Sequence, residues 1–404
     1  MPPATTYDVQ RLRDQVPALR EGAAHFDGPG GTQIPDPVAD AMSEALRSAV
    51  SNRGRVTAAE RRADDMVIAA REAMADLLGA DPGGIVFGRS MTQVTFDIAR
   101  TLSQDWGPGD EVVVSRLDHD ANVRPWVIHA SRAGATVRWI EFDPATGELT
   151  VDDVRAQLSE RTRVVALTGA SNLIGTRPDL AAVADEVHDA GALLYADGVH
   201  LTAHAPISVA DIGADFYACS PYKFLGPHLG ALAASPELLD SLHPDKLLPA
   251  TDRVPERFEL GTLPYELLAG VTAAVDILAD LVPSEGSRRE RLLVSLAALE
   301  SYEDALHARL RAGLESVPGI RTYSNARHRT PTETFTLEGR SADEVTERLA
   351  LQGVNAPSGN FYALEASRWL GLGDAGGVRA GLAPYTSEED VDRLVEGLRG
   401  IAKS

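Results

Sequence analysis

Leu193-Leu194-Tyr195-Ala196-Asp197-Gly198-Val199-His200 is followed one β-type run later by Cys219-Ser220-Pro221-Tyr222-Lys223-Phe224-Leu225-Gly226-Pro227, and the architecture can be read outward from this pair of segments. In each half an apolar run stops at a turn bearing an ionisable residue: Asp197 after Leu193 to Ala196, and Lys223 after Asp215 to Ala218. The same rhythm continues outward. Ile85-Val86-Phe87, Glu111-Val112-Val113-Val114, Val137-Arg138-Trp139-Ile140 and Val164-Val165-Ala166-Leu167 read as strands, separated by helical stretches such as Pro178 to Ala190, which proline opens and Gly191 closes. This alternation, from about 85 to 234, predicts an α/β fold with a mostly parallel sheet covered by helices and ligands at the strand ends.

Beyond Pro264 the pattern changes to long helices, including Ser287 to Glu315 with Leu292, Leu293, Leu296, Leu299 and Leu306 on one face. Strand-like Arg321 to Ser324 and Thr332 to Leu337, with helices over Ala342 to Leu351 and Ser387 to Ile401, suggest a smaller α+β unit. A helix near Val9 to Leu19 is expected to pack onto it. The expected division is a large domain over 29–269 and a small one formed by 1–28 and 270–404, a reasonable partition for 404 residues.

Composition narrows the function. Hydrophobic residues at 44% and charged residues at 24% suit a compact globular chain. A formal net charge of -21 argues against nucleic acid and against an anionic membrane surface, both of which call for a basic partner. Met1-Pro2-Pro3-Ala4-Thr5-Thr6 lacks the basic start and apolar run of a leader, and no later segment has the apolar length of a membrane span; a cytoplasmic protein is expected. The single cysteine, Cys219, fits a reducing compartment and can form no internal disulfide.

Lysine is scarce: Lys223, Lys246 and Lys403 are the whole set. Lys246 sits beside the polar His243-Pro244-Asp245 and Lys403 next to the last residue, so Lys223 alone stands where a core strand ends. Taken singly, Asp197 could cap a turn and Lys223 could be a surface side chain. Together they form the pairing that a pyridoxal phosphate enzyme requires: an amine to bond the cofactor aldehyde, and an acid to keep the pyridine nitrogen protonated.

With Asp197-Gly198, Ser220, Lys223 and Gly226-Pro227 in place, the sequence resembles, over nearly its whole length, the class V aminotransferases. These fold-type I pyridoxal phosphate enzymes include cysteine desulfurases, selenocysteine lyases and isopenicillin epimerases. The resemblance implies further roles. His119, in Leu117-Asp118-His119-Asp120-Ala121-Asn122, looks like the histidine that stacks on the cofactor ring and moves protons; its plainer reading is a turn histidine. Asn172 looks like the asparagine beside the cofactor's phenolic oxygen, or is a turn residue. Ser90, Met91 and Thr92 stand at a helix start suited to a phosphate, where Ser90 or Thr92 could equally be an ordinary N-cap. Ser220 and Tyr222, the latter where desulfurases commonly carry histidine, would add donors. Thr262, in Arg257-Phe258-Glu259-Leu260-Gly261-Thr262, would complete the phosphate site of a neighbouring copy, which implies a homodimer. Arg379 would hold the substrate α-carboxylate through its planar fork, with Asn360 and Tyr362 as further substrate contacts. Phe361, Arg124 and Trp126 are guesses at the pocket lining.

The pattern also departs from the desulfurases. Where those enzymes place the cysteine that carries a persulfide, Ser358-Gly359-Asn360-Phe361-Tyr362-Ala363-Leu364 offers Tyr362 and no thiol. His200 replaces a common glutamine near the phenolic oxygen. The resemblance therefore implies chemistry on an amino acid through an external aldimine and an α-carbanion, with Lys223 or His119 taking the α-proton. The leading expectation is lyase-type β-elimination at a carbon–sulfur bond without a persulfide. Transamination is the alternative, followed by epimerisation and by a non-catalytic cofactor-binding scaffold.

Three weaker patterns are set aside. Gly371-Leu372-Gly373-Asp374-Ala375-Gly376 matches the dinucleotide fingerprint but follows the helical run Ala363 to Leu370 and opens no helix. His200 and His204 have zinc-pair spacing without an intervening acid, and Pro206 argues against a helix there, so no metal is expected. Ser387-Glu388-Glu389-Asp390 reads as a helix start.

Overall fold

The computed structural model of the protein describes residues 6–403; the start read above for a leader, 1–5, and residue 404 lie outside them. Thirteen strands are found among these residues, in chain order β1 (Ala24–His25), β2 (Ile85–Gly88), β3 (Glu111–Ser115), β4 (Thr136–Ile140), β5 (Thr162–Thr168), β6 (Leu193–Asp197), β7 (Phe216–Cys219), β8 (Gly230–Ala234), β9 (Ile320–Thr322), β10 (Thr332–Leu337), β11 (Val354–Asn355), β12 (Ser358–Gly359) and β13 (Gly377–Gly381). Seven form a large sheet in the order β2-β8-β7-β6-β5-β3-β4. Strand β8 runs against its neighbours β2 and β7, and the others share one direction. Strands β3 and β7 are buried along their whole length, which explains why both read as continuous apolar runs.

All six strands read from the sequence between 85 and 234 are present to within a residue or two. Strand β8 was not read: Gly230-Ala231-Leu232-Ala233-Ala234 has almost no β-branched content, and its place is set by close approach. A Cβ on Gly230 would lie 2.2 Å from the carbonyl carbon of Ser90, so this strand must pass bare beside the helix that follows β2. Two helices that the sequence reading did not name, Asp36–Arg47 and Ala58–Leu78, pack on helix Tyr265–Ala279, and Ala58–Leu78 also meets β2 and β8 of the large sheet. Helix Tyr265–Ala279, which straddles the expected boundary at 269/270, places Leu268, Val271, Val275 and Leu278 in the core of the large sheet.

The second sheet, β12-β13-β10-β9, is antiparallel and covered by helices Arg288–Glu315, Ala342–Ala350 and Glu388–Ala402. The long helix joins the cores: Leu292, Leu296 and Leu299 lie in the first, Leu306, Leu310 and Leu314 in the second. Leu293 is 40% exposed and leaves the face assigned to it, because one face of a helix admits positions three and four apart but not adjacent ones. The expected helix over Val9 to Leu19 is one short helix, Val9–Arg13, then a separate 3-10 turn from Pro17. It is tied to the C-terminal part by Arg13 to Asp390 at 2.7 Å and by Tyr7 donating to the carbonyl of Pro384 at 2.5 Å. The helix expected from Pro178 starts at Leu180, capped by Asp179 accepting from the Ala182 amide at 3.2 Å. No helix among the described residues is long and apolar enough to cross a membrane.

Candidate active site

Because six strands of the large sheet share a direction, their C-terminal ends open on one side, where a cavity of about 680 Å3 lies. Five of the six ends supply side chains. After β2 come Met91 and Thr92; after β3, His119; after β5, Thr168, Ala170 and Asn172; at the end of β6, Asp197, Val199 and His200; after β7, Ser220, Tyr222 and Lys223. The small sheet closes the cavity with Arg379 from β13 and with Phe361 and Tyr362 from the loop after β12.

Local sequence fixes these positions. Gly198 must follow Asp197 without a side chain, since a Cβ there would sit 2.1 Å from Cζ of Tyr217. The Asp197 carboxylate accepts from the Val199 amide at 2.9 Å. Burial pushes its carboxyl up to about 6, against the opposing pull of that amide and of Lys223. Lys223 ends a 3-10 turn, Pro221–Lys223, and donates from Nζ to the carbonyl of Pro29. Its ammonium lies 4.7 Å from the centre of the Tyr222 ring, which stacks in turn on His228. Burial, and then the positive charge of Arg379, lower the Lys223 amine to about 7, while Asp197 opposes them. An amine poised near neutrality is the form that attacks an aldehyde.

His119 accepts the Ala121 amide on Nδ1 at 3.0 Å, so its neutral ring carries the proton on Nε2. Withdrawal from water, then Lys223, hold it down to about 4. Its ring stacks on Tyr362 with centres 5.5 Å apart. Arg379, 2% exposed, donates from Nη1 to the carbonyl of Asn172 at 3.0 Å and lays its guanidinium 3.7 Å from the centre of the Phe361 ring. Burial lowers it to about 9, with Asp27 opposing. Arg379 Nε and Asn172 Oδ1 are buried without a hydrogen-bond partner among the described residues. Two orphaned polar atoms in the wall of a cavity that also holds a free amine and a buried acid fit a polar aromatic cofactor with a charged substrate beside it.

Not every expected residue lies in the wall. Ser90 caps the helix Met91–Leu102, accepting from the Gln93 amide at 3.2 Å, one residue behind the lining. Asn360 also stands behind it: Oδ1 accepts from the Tyr362 amide at 3.0 Å and Nδ2 donates to the Asp374 carbonyl at 2.8 Å. It thereby shapes a turn in which Phe361 and Tyr362 both adopt positive φ, 52° and 59°. Thr262 is exposed and outside this chain's cavity; nearby, Glu259 anchors the segment through Arg71 at 2.6 Å. Trp126, guessed as lining, is fully buried core, edge-on to Tyr195 and bonded to Asn122. Arg124 does line the mouth, paired with Asp120 at 2.8 Å. Cys219 is buried in β7, its thiol pushed up by burial, and is not part of the lining.

The sequence reading missed Pro29, Gly30 and Phe96 in the wall and Asp118 behind it. The run Gly28-Pro29-Gly30-Gly31 was the available signal, since a Cβ on Gly28 would lie 2.4 Å from the Leu382 carbonyl oxygen and one on Gly31 3.2 Å from the Tyr222 ring. Asp118 accepts from Ser115 Oγ and, at 2.7 Å, from Asn122 Nδ2. Burial raises it to about 8, and the Asp197 charge adds to the rise.

The family model for aminotransferase class V matches residues 24–394. The chain belongs to that family. An uncharacterized protein, MT3887, of Mycobacterium tuberculosis is 37% identical to this class V chain over 401 residues, 98% of this chain and 99% of the other. The aminotransferase-like protein FGM3 of Gibberella zeae is 32% identical over 417 residues, covering 98% and 99%. A cysteine desulfurase of Klebsiella pneumoniae is 30% identical over 420 residues, again 98% and 99%. Among solved structures, the Escherichia coli cysteine desulfurase CsdA in its S-sulfonic acid form superposes with a TM-score of 0.87 at 28% identity, covering 98% of this chain and 99% of that one. The fold is accordingly fold-type I, and the class V chain is an enzyme of amino-acid chemistry whose cofactor is pyridoxal phosphate.

Proposed function

We propose that this class V enzyme is a lyase that eliminates a β-substituent, at a carbon–sulfur bond, from an amino acid without passing sulfur through a thiol of its own. The observation that carries this reading is that the single cysteine is buried in β7 and absent from the cavity wall, while the loop facing the site offers Tyr362. Elimination releases the leaving group directly and needs no acceptor thiol.

Pyridoxal phosphate supplies, when bound, an aldehyde for amines and a ring that stores the electrons of a broken Cα bond. Lys223 is the residue we assign to its covalent attachment, and Asp197 to the ring nitrogen. Thr92, Met91, Ser220 and Tyr222 would hold the phosphate by donors at and near the helix start that Ser90 caps, and Asn172 and His200 the phenolic oxygen. Arg379 holds the substrate carboxylate with the donors its bond to Asn172 leaves free, and the Phe361 ring keeps its plane fixed. With its proton on Nε2, His119 can donate into the cavity, and the neutral Lys223 amine can accept the α-proton. Tyr362 narrows the mouth. Thr262 of a second copy would complete the phosphate site, making the working unit a homodimer. The lone buried thiol suits a reducing, cytoplasmic setting.

The test is a product assay of the purified holoenzyme with sulfur-bearing amino acids and no added acceptor. Pyruvate and the released sulfur group in equal amounts support elimination. Product formation that depends on an added keto acid replaces it with transamination, and racemised substrate alone replaces it with epimerisation. Borohydride reduction and peptide mapping locate the cofactor; an adduct absent from Lys223 removes that assignment.

A further inference from the structure

His200, assigned above to the phenolic oxygen, is one end of a row of buried polar groups whose other members the chemistry above does not use. It lines the cavity, and its Nε2 lies 3.0 Å from Thr332 Oγ1 of β10. Its other flank meets the ring of His204 edge-on, with centres 4.8 Å apart at 74°. Nδ1 of His204 lies 2.8 Å from Oε2 of Glu303, in the middle of the long helix Arg288–Glu315. His200, His204 and Glu303 are 3%, 4% and 1% exposed. The row therefore runs from the helix that joins the two cores to the cavity wall.

A carboxylate this deep is costly unless partnered, and Glu303 Oε1 has no hydrogen-bond partner among the described residues. Its one histidine contact is thus the feature that makes its burial tolerable, and with Glu303 ionised that contact places the His204 proton on Nδ1. A histidine so oriented is an imidazole held by an acid on one side and facing a second imidazole on the other. We infer that Glu303 and His204 are positioning residues for His200, and that through His200 they set the ionisation of the cofactor bound in the cavity.

The charged groups around the row agree with this. His204, Arg379 and Lys223 all face His200 and, after burial itself, keep it well below the ordinary histidine value. A neutral ring then presents one lone pair and one N–H in fixed directions. Burial raises the Glu303 carboxyl above its ordinary value; His204 opposes that rise, and Asp304 and Glu300 of its own helix add to it. Tyr7 lies near enough for Glu303 to disfavour its ionisation. One turn further along the helix, His307 makes a similar pair with Glu333 at 2.8 Å, directed instead at the small sheet. That second pair is similarly buried and serves as a comparison aimed elsewhere, although its carboxylate is also held by Arg329 at 2.9 Å.

The inference rests on pyridoxal phosphate occupying this cavity beside His200; adduct mapping on Lys223 in every variant checks that point separately. The experiment follows the visible absorbance of the bound cofactor against pH in the holoenzyme. In Glu303→Gln and His204→Gln the midpoint of that titration is expected to move by about one pH unit or more, while in His307→Gln it stays put. Folded, cofactor-loaded Glu303→Gln and His204→Gln proteins with the wild-type midpoint overturn the inference, as does an equal shift in His307→Gln. Should the variants lose the fold, 15N-histidine spectra of the wild-type holoenzyme decide alone. The inference requires His204 protonated on Nδ1 and His200 uncharged between about pH 6 and 9. A charged His200 at neutral pH, or a bare Nδ1 on His204, overturns it.

Discussion

Trace acylation of the cofactor-free protein across pH is expected to give Lys223 a reactivity midpoint near 7 in place of the usual 10.5. Only the uncharged amine reacts. With a midpoint near 7, about half of the Lys223 side chains are uncharged at pH 7, against about one in three thousand for an ordinary lysine, a ratio of roughly a thousand. The chain suits the measurement, because Lys246 and Lys403 are its only other lysines and serve as internal references in the same peptide map. Burial slows every reagent, so the midpoint and not the absolute rate carries the information. Two substitutions separate the causes. Arg379→Gln removes a positive charge that lowers the amine and is expected to raise the midpoint by about one unit, whereas Asp197→Asn removes the charge that raises it and is expected to shift it down by a similar amount. A wild-type midpoint near 10, or a shift of the same sign in both variants, refutes the electrostatic account of the site.

Further predictions follow from single contacts. Asp118→Asn is expected to flatten the pH dependence of stability in the cofactor-free protein. The folded Asp118 carboxyl is raised to about 8, so the stability its protonation contributes is full below the ordinary carboxyl value near 4 and is lost as pH rises towards 8; chemical denaturation at both ends of that window measures the change. Gly198→Ala is expected to destabilise by about 1–3 kcal/mol or more, because its Cβ meets Tyr217 at 2.1 Å; calorimetry, together with cofactor retention on dialysis, reads the effect. Asn360→Ala removes two bonds that hold a turn whose positive-φ residues cost about 1–3 kcal/mol each, and is expected to weaken substrate binding about tenfold with little change in melting temperature, as read by absorbance titration of the holoenzyme.

The large sheet was legible because its central strands are buried on both faces and must be written in Val, Leu, Ile and Tyr. Asp197 and Lys223 were legible because each breaks such a run with a charge at a strand end. Strand β8 was not, since Gly230 and its alanines are chosen for thinness against the helix start at Ser90, a demand that no local propensity encodes. Arg379 was located through family likeness alone, because β13, Gly377–Gly381, is short and glycine-rich and arginine is common in this chain.

By itself, then, the order of residues determined which side chains end the strands, where the helices are capped and how little thiol chemistry is available. Tertiary structure alone decided which of those side chains share a cavity: Trp126 went to the core, Asn360 behind a turn and Thr262 to the surface, while Pro29 came 194 residues along the chain to meet Lys223. The physical reason is that periodicity reports the face a residue takes on its own element, whereas its neighbours across the cavity depend on how two sheets and the helix between them are docked. That docking is fixed by close approaches and buried polar pairs, such as Gly28 on Leu382 and Glu303 on His204, between residues far apart in sequence.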